Sequence, residues 1–221
     1  MDAVAIDGIY PDDPYQGGDF DGEIKLSLPK RILIYGVTGS GKTTVARQLG
    51  ELTGLPWHEA DYLTWDPGWV MVPDDVQRQR IAAICAQDEW ILDTAYAKWM
   101  EFPLARVELI LGLDYSRSRT FWQLLKRTVA RSIDKKLVCN GNVETLKGMF
   151  SKDSILIWHF KSFARKRARM RKWKSSQSEF EVILFRCPLE LEMWMANLVL
   201  NRARALRIEI ESELEKRSAN P

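Results

Sequence analysis

Residues 36–43 have the sequence GVTGSGKT, which matches the pattern G-x-x-x-x-G-K-[ST] in full. The match lies between a short apolar run, Ile32–Tyr35, and a segment with helical spacing, Lys42–Thr53. Glycines in such a turn let successive backbone N–H groups point inward, and the N-terminus of the following helix adds positive charge. The sequence therefore predicts a phosphate-binding loop that receives a purine nucleoside triphosphate, such as ATP, together with Mg²⁺.

Two side chains of this loop have predicted roles of their own. Lys42 is expected to reach the β- and γ-phosphates, and the Thr43 hydroxyl is expected to ligate Mg²⁺. The residues predicted to bind the nucleotide are Gly36, Thr38, Gly39, Ser40, Gly41, Lys42, Thr43 and Thr44. The loop does not define the reaction, because kinases, ATPases and GTPases share it.

Further apolar runs alternate with helical patterns along the chain. Besides the strand before the loop and the helix after it, strands are predicted at 55–58, 89–93, 107–113 and 181–185, and helices at 74–86, 116–133, 154–174 and 189–200. This alternation predicts a parallel sheet with helices on both faces.

The ends of the chain differ in composition from its centre. Residues 1–29 hold seven acids and one base, which predicts a flexible acidic arm. Residues 30–200 are predicted to form the folded domain, and residues 201–221 a C-terminal helical tail. No signal peptide and no apolar run approaching the roughly 18 residues of a membrane span is recognised. Three widely spaced cysteines (Cys85, Cys139 and Cys187) favour free thiols and a cytoplasmic location.

Two predicted strands end in an acid. Asp93 follows Trp90-Ile91-Leu92, the arrangement that holds Mg²⁺ beside a phosphate loop, and it is favoured as the metal ligand over a helix-capping role. Asp114 ends the next predicted strand in the same way, but it can equally cap the helix that starts near Ser116.

Glu59 and Asp61 follow the short predicted strand at 55–58. Ligands of open α/β sheets bind outside the carboxyl ends of the strands, and residues two apart point the same way if strand geometry continues. Asp61 is expected to orient or deprotonate the hydroxyl of a small acceptor. For Glu59 a solvated loop position is an equal alternative.

Arg127 and Arg131 are four residues apart on the predicted helix 116–133 and so share a face. Guanidinium groups stabilise the charge that develops during phosphoryl transfer, which makes these two residues catalytic candidates. A solvated surface position is the alternative for each.

The segment Lys161–Lys174 carries eight bases and no acid. We expect a solvated helix face here, and a nucleic-acid surface is the less favoured alternative. Two of the nine tryptophans, Trp65 and Trp69, flank Pro67-Gly68. They either serve in core or half-buried packing or form an apolar wall over a planar acceptor.

With these motifs the chain resembles a family of small P-loop proteins that is related to adenylate kinase. The family is labelled "DNA topology modulation" protein and is assumed to contain nucleoside or nucleotide kinases. Its segment D-x-x-x-W-x-P-G-W is found at 61–69, its strand end W-[IV]-[IL]-D-G-N-Y has a counterpart at 90–96, and its hydrophobic-Leu-Asp-x-x-[RS] element is matched at 111–119. The resemblance covers about residues 30–198.

The resemblance implies an adenylate-kinase-like P-loop fold, a three-layer α/β/α arrangement around a five-stranded parallel sheet. It implies an acceptor-binding insertion after the second strand, a lid near residues 117–150, and ATP-dependent phosphoryl transfer to a small molecule. Thr94-Ala95 stands where the family has Gly-Asn, at the expected acceptor position, and this departure favours the ATPase alternative. No arginine closely follows Asp93, so AMP is not the predicted acceptor. A P-loop ATPase or nucleotide-dependent switch without a small acceptor, associated with nucleic acid or not, stays open as the alternative.

Overall fold

The computed structural model describes residues 28–94, 96–134, 137–138, 140–143 and 155–218. Most of the predicted acidic arm, Ala95 and Cys139 lie outside these residues. Within the described part of the chain, no helix is both long and apolar enough to cross a membrane.

Nine strands form one large sheet and two small hairpins. They are β1 (Arg31–Gly36), β2 (Trp57–Glu59), β3 (Trp65–Asp66), β4 (Val70–Met71), β5 (Trp90–Thr94), β6 (Leu109–Leu113), β7 (Leu137–Val138), β8 (Asn142–Val143) and β9 (Glu181–Phe185). The large sheet has the order β2-β5-β1-β6-β9, and all its neighbouring strands are parallel. β3 pairs with β4 and β7 with β8, both antiparallel.

Seven helices are described. They are α1 (Lys42–Thr53), α2 (Ala60–Thr64), α3 (Asp74–Cys85), α4 (Glu101–Leu104), α5 (Arg117–Asp134), α6 (Ile155–Ser175) and α7 (Pro188–Ser218). The helices predicted at 189–200 and in the tail are one continuous helix, α7.

Side chains that alternate along the central strands supply two hydrophobic cores, one on each face of the sheet. Leu33 and Tyr35 of β1 pack with residues of α3, α4 and α6. Ile32 and Ile34 of the same strand pack with residues of α1 and α7. Helices therefore cover both faces, and the predicted three-layer α/β/α class with a five-stranded parallel sheet is confirmed.

The second strand differs from its prediction in a way that matters for the site. β2 covers 57–59 rather than 55–58, and α2 begins at Ala60. Glu59 is therefore the last residue of a strand, while Asp61 lies in the first turn of a helix. The expectation that strand geometry continues through both residues is wrong.

α6 buries one face against the sheet. Its buried residues His159, Phe163, Lys166 and Met170 recur at intervals of three and four, the spacing of one helix face. Five of the eight bases of the segment 161–174 are exposed, in agreement with the predicted solvated helix face. Lys166 departs from that prediction, because it turns inward together with the apolar residues.

Candidate active site

The predicted phosphate-binding loop leaves the carboxyl end of β1 and runs directly into α1. Gly39 and Gly41 have φ values of 82° and 91°, a left-handed conformation that glycine adopts without strain. The Ser40 N–H donates to the Val37 carbonyl at 3.2 Å, and Ser40 Oγ is buried without a hydrogen-bond partner among the described residues. α5 closely backs the loop, because a Cβ on Gly39 would lie 2.5 Å from the Thr120 carbonyl oxygen.

Lys42 and Thr43 occupy the first turn of α1, and the next predicted ligand, Thr44, is exposed beside them. Lys42 Nζ donates to the Val37 carbonyl at 3.3 Å, so its side chain folds back over the loop. Backbone amides, a helix N-terminus and an ammonium group thus surround one concave turn. This is the donor set that a polyphosphate requires.

The metal ligands predicted on two different elements meet. The Thr43 hydroxyl donates to Asp93 Oδ2 across the space between α1 and the end of β5. Asp93 is only 5% exposed. Burial raises the pKa of its carboxyl group, while the charge of Lys42 and the Thr43 hydrogen bond oppose that rise.

The pair fits Mg²⁺, because hydroxyl and carboxylate oxygens are the hard ligands this ion prefers. The described residues contain no group of three or more His, Cys, Asp or Glu side chains that could hold a metal. Mg²⁺ usually retains waters and binds substrate phosphates beside one or two protein ligands. Thr43 and Asp93 therefore suffice as the protein's share of such a site.

Glu59 is a second acid beside Asp93. It is the register partner of Asp93 across the β2–β5 pair. Burial raises the pKa of Glu59 to about 7, and the nearby charges of Asp93 and Asp61 add to the rise while Arg131 opposes it. Of the two alternatives for Glu59, the solvated loop position is wrong.

Asp61 lies on the exposed rim of the same site and belongs to a chain of hydrogen bonds. The Tyr96 hydroxyl donates to Asp61 Oδ1 at 2.9 Å, and the indole Nε1–H of Trp65 donates to the Tyr96 oxygen at 3.1 Å. Burial, together with the charge of Asp61, raises the pKa of Tyr96 and keeps its hydroxyl protonated. Tyr96 and Trp65 thus fix the orientation of the Asp61 carboxylate.

The two predicted arginines of α5 face the acids. The pKa values of Asp93 and Glu59 are both raised by burial. The charge of Arg127 opposes that rise for Asp93, and the charge of Arg131 opposes it for Glu59. Both arginines are half-buried. α5 therefore brings positive charge to the two carboxylates at the ends of β5 and β2.

Asp114 does not join this group. Its carboxylate, 4% exposed, accepts from Arg167 Nε at 2.5 Å and from Arg171 Nε at 2.9 Å, so it anchors α6 to the end of β6. The sequence suggested either a metal ligand or a helix cap at Asp114. The ion pairs with α6 are a third role that was not predicted.

Part of the basic segment of α6 makes contacts within the protein. Arg169 Nη1 donates to the Tyr35 hydroxyl at 3.1 Å, and Lys166 Nζ donates to Thr38 Oγ1 of the phosphate-binding loop at 3.4 Å. With Arg167 and Arg171 held by Asp114, half of the eight bases have partners inside the fold. The run of bases at 161–174 is therefore weaker support for a nucleic-acid surface than the sequence alone suggested.

The hairpin β7–β8 docks on the segment that contains the 61–69 motif. Asn140 Nδ2 donates to the carbonyls of Tyr62 (2.9 Å) and Trp65 (2.7 Å). Asn142 Nδ2 donates to the Asp66 carbonyl at 3.0 Å, and Asn142 Oδ1 accepts from the Trp69 N–H at 2.6 Å. The predicted lid segment therefore touches the predicted acceptor insertion directly.

Trp65 and Trp69 lie on the β3–β4 hairpin and meet edge to face, with ring centroids 5.9 Å apart. Trp65 is half-buried, whereas Trp69 is 41% exposed. Neither ring belongs to the two large cores. Half-buried packing therefore describes Trp65, whereas the exposed ring of Trp69 is accessible to a small molecule.

The fold and the loop make this chain a P-loop α/β protein. No protein-family model matches it, and no curated protein does. Among solved structures it is similar to a gluconokinase from Sinorhizobium meliloti 1021, at 20% identity over 85% of this chain and 97% of that chain, with a TM-score of 0.43.

Two shikimate kinases are also similar. The enzyme from Bacteroides thetaiotaomicron has 16% identity over 80% of this chain and 98% of its own, with a TM-score of 0.47. The enzyme from Acinetobacter baumannii, solved with shikimate, has 15% identity over 83% and 94%, with a TM-score of 0.45. At these identities and TM-scores, the substrate and reaction of this chain have to be inferred from its own residues.

Proposed function

We propose that this protein is an ATP-dependent phosphotransferase of the nucleoside or nucleotide kinase type. It transfers the γ-phosphoryl group of ATP to a hydroxyl or phosphate group of a small acceptor. The observation that carries the proposal is the meeting, at one edge of the sheet, of three groups. These are the Thr43–Asp93 pair of the nucleotide side, the acids Glu59 and Asp61 on the strand and helix beside it, and cationic α5.

On the nucleotide side, Lys42 and the loop amides bind the phosphates, and Thr43 and Asp93 hold Mg²⁺. When bound, Mg²⁺ neutralises charge on the phosphate oxygens. The interior position of Asp93 limits the water around that carboxylate, which strengthens its interaction with a cation.

On the acceptor side, Asp61 orients the acceptor hydroxyl and accepts its proton. Its exposed position on the rim leaves it accessible to a small molecule, while the hydrogen bond from Tyr96 fixes its orientation. A general base needs this combination of access and fixed geometry.

Arg127 and Arg131 supply positive charge from α5 to the space above the acids. Phosphoryl transfer spreads negative charge over the moving group, and guanidinium groups stabilise it in fork geometry. α5 also backs the loop at Gly39, so the helix that carries the two arginines lies directly against the phosphate-binding loop.

The experiment is phosphoryl transfer from ATP·Mg²⁺ to a panel of nucleosides, nucleoside monophosphates, sugars and small alcohols, with product identified by mass spectrometry. Lys42→Ala and Asp61→Asn are run alongside. We expect a phosphorylated product whose rate falls about 10²–10⁴-fold in Asp61→Asn, the range for loss of a general base. Lys42→Ala should lose nucleotide binding as well as turnover.

Asp75→Asn is the matched control for Asp61, because Asp75 is likewise an exposed acid in the first turn of a helix and has no predicted role in the site. It should leave the rate unchanged. Release of phosphate to water with no phosphorylated product, at a rate indifferent to Asp61→Asn, would refute the kinase and establish the ATPase alternative.

A further inference from the structure

α6 is tied to the phosphate-binding loop at a single residue, Thr38. His159 Nδ1 lies 3.1 Å from the Thr38 carbonyl oxygen, and Lys166 Nζ lies 3.4 Å from the Thr38 hydroxyl. A carbonyl oxygen only accepts, so Nδ1 of His159 carries the proton. Its other nitrogen faces the Thr120 hydroxyl of α5 at 3.5 Å. Half-buried Thr38 is thus held by buried side chains of α6, and His159 links this contact to buried Thr120 of α5.

Lys166 is an unusual group in this contact, because only 5% of the residue is exposed. Taking an ammonium group out of water is costly unless an anion or several acceptors replace the water. Its hydrogen-bond partner among the described residues is the neutral Thr38 hydroxyl, and the Trp158 ring centroid lies 5.9 Å from Nζ. This environment does not balance the charge.

The charges around Lys166 show which kind of ligand would balance it. Lys42, Arg165 and Arg169 are the cations that act on it, and Asp61 is the acid. Burial, reinforced by Lys42, lowers the pKa of Lys166 to about 7. Three cations and one acid thus act on a buried ammonium group, so an anionic ligand is the kind that would balance it.

The position of Lys166 indicates which part of a nucleotide it would contact. Lys166 responds both to Lys42, which lies on the nucleotide side, and to Asp61, which lies on the acceptor side. Lys166 Nζ also contacts Thr38 of the phosphate-binding loop, so a phosphate is within its reach, and the influence of the acceptor-side Asp61 favours the terminal phosphate over one nearer the nucleoside.

We propose that Lys166 is a second phosphate-binding lysine, contributed by α6, which contacts the terminal phosphate of the bound nucleoside triphosphate between Lys42 and Asp61. His159 is a positioning residue that holds Thr38, and with it the loop, under this lysine. The assignment to the terminal phosphate rests on the proposed function; the assignment to the nucleotide does not.

The test is equilibrium binding of ATP and ADP, each with Mg²⁺, measured by titration calorimetry without any acceptor. Lys166→Met should weaken ATP about tenfold or more, as expected for a lost charge-assisted contact, and ADP less than about threefold. Lys166→Arg should recover part of the ATP affinity. Lys161→Met, an exposed lysine on the same helix, is the control and should bind both nucleotides like the parent.

Lys166→Gln keeps a polar donor of similar length and serves if the methionine variant does not fold. The proposal would be overturned if the Lys166 variants bound ATP and ADP as tightly as the parent does. It would also be overturned if the variants lost the same factor in affinity for both nucleotides. A chain that binds ATP through Lys166 and yet phosphorylates no acceptor would keep this proposal and refute the kinase.

Discussion

Glu59 and Asp93 are register partners on β2 and β5, so two carboxylates stand side by side at the carboxyl edge of the sheet. Like charges in a partly buried place cannot both ionise without cost. The fold accommodates them through the hydroxyl of Thr43 on Asp93 and the charges of Arg127 and Arg131. A divalent cation between the loop and these acids would lower that cost further.

Glu59→Gln should stabilise the protein at alkaline pH in the absence of Mg²⁺. The pKa of Glu59 is raised from 4.5 to about 7, so the protonated acid is favoured in the fold and ionisation costs stability as the pH rises through 7. Because Glu59 is only half-buried, we expect a gain of about 1 kcal/mol or less at pH 8. Below pH 4.5 the gain should vanish.

Thermal unfolding at pH 5 and pH 8 measures this difference. Glu179→Gln changes an exposed glutamate and controls for the general effect of removing a charge. An equal change in Tm for Glu59→Gln at both pH values would contradict the carboxylate repulsion.

Lys166→Met should stabilise the nucleotide-free protein most at low pH. The pKa of Lys166 is lowered from 10.5 to about 7, so the neutral amine is favoured in the fold. The parent therefore gains stability as the pH rises from 7 to 10.5, and the advantage of methionine shrinks over the same range. Each unit of pKa difference corresponds to about 1.4 kcal/mol, which makes the change measurable.

Urea unfolding at pH 6 and pH 9 provides the measurement, with exposed Lys172→Met as the control. The charged groups that act on Lys166 are Lys42, Asp61, Arg165 and Arg169. A stability difference between Lys166→Met and the parent that does not depend on pH would mean that Lys166 stays charged throughout.

Asp114→Asn should lower the free energy of unfolding by about 1.5–3 kcal/mol, the range for hydrogen bonds to charged groups. The loss arises because Arg167 and Arg171 would face a neutral amide at a 4% exposed position. Asp88→Asn removes an acid whose side chain is 93% exposed in its pair with Arg106, and it should cost less than about 1 kcal/mol. If both variants unfold at the same urea concentration, Asp114 does not anchor α6.

Asn142→Ala should increase hydrogen exchange at the Trp69 amide. That N–H donates to Asn142 Oδ1 at 2.6 Å, and loss of one hydrogen bond of about 1 kcal/mol corresponds to roughly fivefold faster opening. Asn142→Asp keeps an oxygen acceptor for Trp69 but loses the donor to the Asp66 carbonyl.

Exchange followed by mass spectrometry on peptides that cover residues 62–71 separates the two variants. We expect the aspartate variant to protect Trp69 more than the alanine variant does. Equal exchange in the parent and in Asn142→Ala would show that the hairpin does not hold the insertion in solution.

The loop, the five strands of the large sheet and the meeting of Thr43 with Asp93 could be predicted because each depends on local pattern. A G-x-x-x-x-G-K-[ST] match needs only a strand before it and a helix after it, and parallel strands bring their carboxyl ends together. The boundary at Ala60 could not be read in this way, since the turn from β2 into α2 carries no glycine or proline.

The inward role of Lys166 was missed because eight bases in one segment suggest solvent. Its signal was the interval of three residues to Phe163, four to Met170 and seven to His159, which places the lysine on the buried face. The β7–β8 hairpin was also missed. Asn140-Gly141 is a common hairpin turn, and both residues have positive φ, but no local pattern reveals the distant segment on which the turn docks.

In four hydrogen bonds of the described residues, Asn140 and Asn142 of the hairpin bind backbone atoms of the insertion, namely three carbonyls and one N–H from residues 62–69. Backbone atoms are the same for every amino acid, apart from the missing N–H of proline. Mutations in this segment can therefore change the shape and polarity that a small molecule encounters, while the hydrogen bonds from the hairpin to the backbone are kept. In such an arrangement, substitutions that alter which small molecule is bound leave the contact between hairpin and insertion intact.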